Sequence, residues 1–203
     1  MRYRPRRIKH SSFQSRVPSR LLFLSQVFLK YSKEYPPIVE RIQSLLQPGP
    51  LRLDTPAHGR KSILDIGAGD GQLLRLLDEV SPLRQSVGHY SSYETDGDAA
   101  SRLQKAVAEL NLQDATVNCT AFSTGTAVER KYDLILWCHS LYGLDRKVPT
   151  LLHSLMSLAP GGCCAVVLRR EKLEPLLQEL RRCGVDATEL NAGGRRPSLC
   201  RTP

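Results

Sequence analysis

From residue 62 onward, short unbroken apolar runs alternate with longer segments whose apolar residues recur every three or four positions. The runs SILDI (62–66), VGHYSSYE (87–94), ATVNC (115–119), YDLILWC (132–138) and CCAVVL (163–168) predict strands. Between them, GQLLRLLDEV, DAASRLQKAVAEL, VPTLLHSLMSL and LEPLLQELRRCG predict helices. ATEL and SLC, on either side of NAGGRR, add a short sixth and seventh strand. A helix between successive strands is long enough for a crossover, so the strands run mostly parallel with helices on both faces. The pattern predicts a doubly wound α/β fold whose ligand site lies at the carboxyl ends of the strands.

The segment before this alternation has a different pattern. Leu21, Leu24, Phe28 and Tyr31 share helical spacing, as do Ile38, Ile42, Leu45 and Leu46 after Pro36-Pro37, so residues 20–46 predict one or two N-terminal helices. QPGPLRLDTPAHGRK, with three prolines and two glycines, is a connector. The expected organisation is a basic tail over 1–19, a helical cap and linker over 20–59, and the α/β domain over 60–203.

Composition changes this picture in one place. The net charge is +9, and residues 1–33 hold nine Lys or Arg with no acid before Glu34, which leaves the remaining chain neutral. Three readings of the tail stay open: a solvated segment, an organelle-targeting segment (mitochondrial or plastid, over residues 1–20), or an arm that docks nucleic acid. The six cysteines show no C-x-x-C spacing, which argues against a metal site and for reduced thiols in a cytoplasmic protein. LLFLSQVFL is much shorter than the roughly 20 apolar residues that span a bilayer, so no membrane partner is expected.

The candidate chemistry begins with ILDIGAGDGQ, residues 63–72, at a strand-to-helix junction. Gly67, Gly69 and Gly71 allow a sharp turn and close backbone approach to a ligand. The dinucleotide fingerprint G-x-G-x-x-G requires glycine at position 72, where this chain has Gln72. Asp65 and Asp70 flank the loop, and a carboxylate there repels a pyrophosphate. A ligand with a cationic centre and a single carboxylate suits the loop better, a description that fits S-adenosylmethionine.

LDIGAGDG resembles the first motif of the class I S-adenosylmethionine-dependent methyltransferases, which share a Rossmann-like α/β fold. YETD, KYDLILWCHSLYGL and LAPGGCCAVVL resemble that family's later motifs in order, over about residues 61–168. The resemblance implies S-adenosyl-L-methionine as cofactor, held by Asp65, Gly67, Ala68, Gly69 and Gly71. It implies Glu94 on both ribose hydroxyls, a match that suits a carboxylate with two acceptor oxygens.

Three stretches resemble histamine N-methyltransferase and its relatives more closely. FLKYSKEY implies Glu34 as a substrate-binding acid, and LILWCHSLYGLDRKVPTLLHSL implies Cys138 at the cofactor and His139 facing the substrate. NLQDATVNCTAFST implies Thr124 beside the adenine, and Tyr142 is a further residue that can wall the substrate site. Two departures stand out: the loop is less glycine-rich than in that group, and the chain stops at Pro203, before the region that completes their substrate pocket. The expectation is a smaller, more open site or a fragment.

The expected activity is N-methylation of a small amine or imidazole-type molecule, with His139 as the catalytic proton acceptor. Two alternatives remain. One is methylation of RNA or protein aided by the basic N-terminus; the other is a non-catalytic methyltransferase-like partner subunit.

Overall fold

A computed structural model describes residues 34–46, 59–168 and 170–185. The basic tail, the connector and the strands expected at ATEL and SLC lie outside the described residues. The chain divides between Tyr35 and Pro36. Of the first unit the described part is Glu34, exposed in a turn, and Tyr35, where a helix begins. Everything that follows concerns the second unit.

Helix α1 (Tyr35–Leu46) leads to β1 (Lys61–Ile66), α2 (Gln72–Val80), a short α3 (Leu83–Ser86), β2 (Val87–Tyr93), α4 (Gly97–Glu109) and β3 (Ala115–Asn118). Then come β4 (Tyr132–Cys138), a single 3-10 turn (Leu141–Gly143), α5 (Lys147–Leu155), β5 (Leu158–Val167) and α6 (Arg170–Arg182). The five strands form one sheet in the order β3-β2-β1-β4-β5, parallel at every pairing. The predicted doubly wound α/β architecture is the one observed. Chain direction across the sheet reverses between β1 and β4, which opens a crevice at their carboxyl ends.

Alternate strand residues divide between the two faces. Leu64, Ile66, Ile135 and Trp137 belong to one core with Phe122, Val148 and Leu151, together with Leu176, Leu177 and Leu180 of α6. On the other parity, Ile63, Tyr90, Leu134 and Leu136 are equally buried. Burial on both faces is why the strands read as continuous apolar runs and not as alternation. Gln43 of α1 donates from Nε2 to the carbonyl of Leu77 at 2.5 Å, and Ile42 and Leu45 are buried, so this helix packs within the sheet's own unit.

Two local differences from the sequence pattern have physical causes. Helix α5 ends at Leu155, and β5 begins at Leu158, within the segment read as helix and turn. Tyr132 pairs with Leu158 and Leu134 with Cys163, so β5 advances five residues while β4 advances two. The excess is a bulge at Pro160-Gly161-Gly162, with Gly161 at φ 73°. A Cβ on Gly162 would lie 2.9 Å from the carbonyl oxygens of Ala159 and Tyr132 and 3.1 Å from that of Asp133. Those are backbone atoms and cannot rotate away.

Gly162→Ala is therefore expected to lower stability by about 2–3 kcal/mol in urea unfolding followed by Trp137 fluorescence. Gly143→Ala, where a Cβ meets nothing within 4 Å, should stay within about 1 kcal/mol of wild type.

Candidate active site

Strand register brings Asp65, the glycine loop, Glu94, Cys138 and His139 to one edge. Ile66 pairs with Tyr93, so the residues that follow, Gly67 and Glu94, leave the sheet side by side. Asp65 pairs with Leu136, which puts the end of β4, with Cys138 and His139, on the opposite side of β1. Gly67 and Ala68 both direct their N–H groups to the carbonyl of Tyr93, at 2.7 and 3.4 Å. The three loop glycines all have positive φ: 72° at Gly67, 62° at Gly69 and 83° at Gly71. Each angle serves a different contact. A Cβ on Gly67 would collide with Ser140, one on Gly71 with Ala106 of α4, and one on Gly69 would meet open space.

Glu94 faces this loop. Its Oε2 accepts from the Gly69 N–H at 2.8 Å, and its Oε1 accepts from the Asp96 N–H at 2.9 Å. Asp96 in turn caps α4 by accepting from the Ala99 N–H at 2.7 Å. One carboxylate thus joins the glycine loop to the start of the next helix.

Asp70 behaves differently from its place in the charge argument above. Its carboxylate pairs with Arg102 of α4 at 3.7 Å, and its carbonyl accepts from Arg75 at 3.1 Å. Its charge is offset by α4, so repulsion of a phosphate falls to Glu94. A single sequence could not show this, because the partner lies a helix away.

At the end of β4, His139 adopts a left-handed conformation, φ 56°, while its N–H donates to the carbonyl of Val167 at 3.0 Å. That conformation is uncommon for a residue other than glycine. The His139 ring lies parallel to that of Tyr142 (interplanar angle 11°, centroids 6.2 Å apart), and Tyr142 is exposed. Cys138 is half-buried beside Val167. Thr124 is exposed in a turn after β3, between Phe122, which packs on Trp137, and Thr126, whose carbonyl meets His153 of α5. Glu34 belongs to the first unit.

Two contributors escaped the sequence reading. Tyr90 donates its hydroxyl to Asp65 Oδ2 at 3.1 Å, a pairing set by the β1–β2 register. Ser140, directly after the flagged Cys138 and His139, is the residue against Gly67. Its only sequence signal was that adjacency.

Asp65 is buried, with one oxygen on Tyr90 and Oδ1 without a partner among the described residues. Burial pushes its carboxyl up to about 7; the Tyr90 hydrogen bond opposes the rise and the charge of Glu94 adds to it. The folded protein therefore holds this proton more tightly than the unfolded chain. The group's contribution to stability falls as pH rises from about 4 to about 7 and is flat above, a change on the order of 4 kcal/mol at most. Asp65→Asn should lack this component, leaving a smaller loss of stability between pH 4 and 7 in urea titrations at stepped pH. A variant with the wild-type slope would show that Asp65 is already ionised.

Among the described residues no group of His, Cys, Asp and Glu could hold a metal ion, and no helix is long and apolar enough to cross a membrane. No curated protein matches the chain. Among solved structures, it is similar to the plantazolicin methyltransferase BpumL in complex with a triazolic desmethylPZN analog and SAH. The identity is 21% and the TM-score 0.56, over 80% of this chain and 58% of that one. It is also similar to a SAM-dependent methyltransferase from Leishmania major, at 20% identity and TM-score 0.52, over 70% of this chain and 53% of that one. The chain thus spans less than two thirds of either protein, and at these identities the likeness is one of fold. The family described as methyltransferase domain matches residues 37–190. That span takes in the glycine loop, Glu94 and the end of β4, and the chain belongs to this methyltransferase domain family.

Proposed function

We propose that this chain binds S-adenosylmethionine at the carboxyl edge of β1, β2 and β4 and transfers its methyl group to a small molecule, at an amine or imidazole-type nitrogen. The observation that carries the reading is the Glu94 carboxylate held at 2.8 Å from the Gly69 N–H, beside open space over Gly69. A carboxylate has lone pairs for more acceptor contacts than the two amides use, so two sugar hydroxyls fit it. The same negative charge disfavours a pyrophosphate.

When bound, this cofactor supplies a methyl group already activated on a sulfonium. The residues of the chain then have distinct tasks. Glu94 holds the sugar, and Gly67, Ala68 and Gly69 present bare backbone to the ligand, while Gly71 lets α2 start close against α4. Asp65 is a buried acid behind the loop whose ionised form is favoured by an approaching cation. Thr124 lies by the adenine and Cys138 lines the cofactor, in the manner that the resemblance implies. His139 takes up the proton that an amine acceptor must lose, and Tyr142, stacked on it, forms a wall of the acceptor site. Glu34 is proposed to orient the acceptor, on the resemblance alone. Holding nucleophile and methyl in line supplies most of the rate gain.

Calorimetric titration with S-adenosylhomocysteine should give binding to wild type. In Glu94→Ala it should be about hundredfold weaker or more, since two hydrogen bonds to a charged group are lost. Unchanged affinity would remove the sugar assignment. A methyl-transfer screen of amines, imidazoles, RNA and protein extracts should score on the small molecules. Turnover confined to RNA or protein would replace the acceptor class, and no cofactor binding would favour a partner subunit.

His139→Asn keeps a residue that tolerates left-handed backbone, so the fold is spared. It should lose about hundredfold in turnover with S-adenosylhomocysteine affinity kept. Full turnover would exclude a proton-transfer role.

A further inference from the structure

We propose that this site couples binding of its cofactor to loss of a proton from Asp65, and through the resulting charge prefers the sulfonium donor to its thioether product. The inference rests on the cofactor reading above and concerns the regulation of the same site. Asp65 is the next-to-last residue of β1, two positions before Gly67, and is 2% exposed. Its Oδ2 accepts from the Tyr90 hydroxyl at 3.1 Å, and its Oδ1 has no partner among the described residues. A neutral hydroxyl is a weak counterpart for a buried charge, so a carboxyl held this way keeps its proton until a cation arrives.

The groups around Asp65 leave that state undisturbed. From β2 it meets Tyr90, and past the end of that strand Glu94 adds a like charge. Its partner on β4 is Leu136, which does not titrate. In the glycine loop and the helices beside it, Asp70 is paired with Arg102 and Arg75 with Glu109, so the nearby arginines are committed elsewhere. His89, near the start of β2, is paired with Asp114. Burial is the largest influence and holds the Asp65 carboxyl up at about 7. His139, at the end of β4 on the other side of β1, carries an imidazole, a group that titrates in the same range, and is separated by the test below.

A sulfonium donor carries one more positive charge than the thioether left after transfer, while the amino and carboxyl groups are common to both. Seated above Gly67–Gly69, that extra charge favours ionised Asp65 through the intervening backbone, without contact. The proton passes to solvent, and no other bond forms or breaks. By linkage, donor affinity rises with pH until Asp65 is ionised in the free protein, near pH 7, and levels off above. The neutral thioether gains little from the same charge. Relative to its product, the site therefore holds its donor more tightly above pH 7 than in mild acid.

Calorimetric titration of the full chain with S-adenosylmethionine and S-adenosylhomocysteine, between pH 5.5 and 8.0, tests this coupling. Donor affinity should rise about fivefold to tenfold over that range, and product affinity less than about twofold. Repeating the donor titration at pH 6.5 in buffers of different ionisation enthalpy should show release of about half a proton. Asp65→Asn should flatten the donor curve. Tyr90→Phe removes the hydrogen bond that favours the charged form, so it should move the rise to higher pH. His139→Asn should keep the rise. A flat wild-type donor curve, equal slopes for donor and product, or a rise lost in His139→Asn but kept in Asp65→Asn would overturn the coupling while leaving the cofactor reading in place. If wild type binds neither ligand, the cofactor reading fails and the coupling with it.

Discussion

A single carboxylate organises the candidate site. Glu94 accepts one N–H from the loop after β1 and another from the turn that starts α4, so two crossover connections are tied at one point. Parallel pairing of β1 with β2 makes the tie possible, because Ile66 and Tyr93 end their strands in register. The loop amides bond the Tyr93 carbonyl and Glu94, so the backbone is already bent before any ligand arrives. Order of this kind lowers the entropic cost of binding.

The charges around the loop divide their work. Asp70 is paired with Arg102 and fastens α2 to α4. Asp65 is enclosed by the sheet, shares a hydrogen bond with Tyr90 and is held near neutrality by its burial. Glu94 stands beside the open ground above Gly69. A site with a half-buried carboxylate at the loop and a buried acid that a cation can ionise is poor for phosphates and good for a sulfonium amino acid. On the far side of β1, the stacked pair of His139 and Tyr142 completes the edge.

The sheet was legible because both its faces are buried, which leaves a plain succession of apolar runs and amphipathic helices. The glycine loop and Glu94 were legible because each ends a strand, where chain position and spatial position coincide. What the sequence withheld depends on pairing between distant segments. Arg102 opposite Asp70 and Tyr90 beneath Asp65 follow from helix packing and strand register, which no local pattern encodes. The bulge at Gly161-Gly162 was read as a turn because prolines and glycines signal both. Ser140 carries no local signal, because a serine after a strand resembles any cap, and only its close packing on Gly67 sets it apart.

The most direct measurement is a crystal structure of this chain with S-adenosylhomocysteine. The account predicts both ribose hydroxyls on the Glu94 carboxylate and the sulfur above the loop at Gly67–Gly69. A ligand seated elsewhere, or a Glu94 side chain turned away from the sugar, would contradict it.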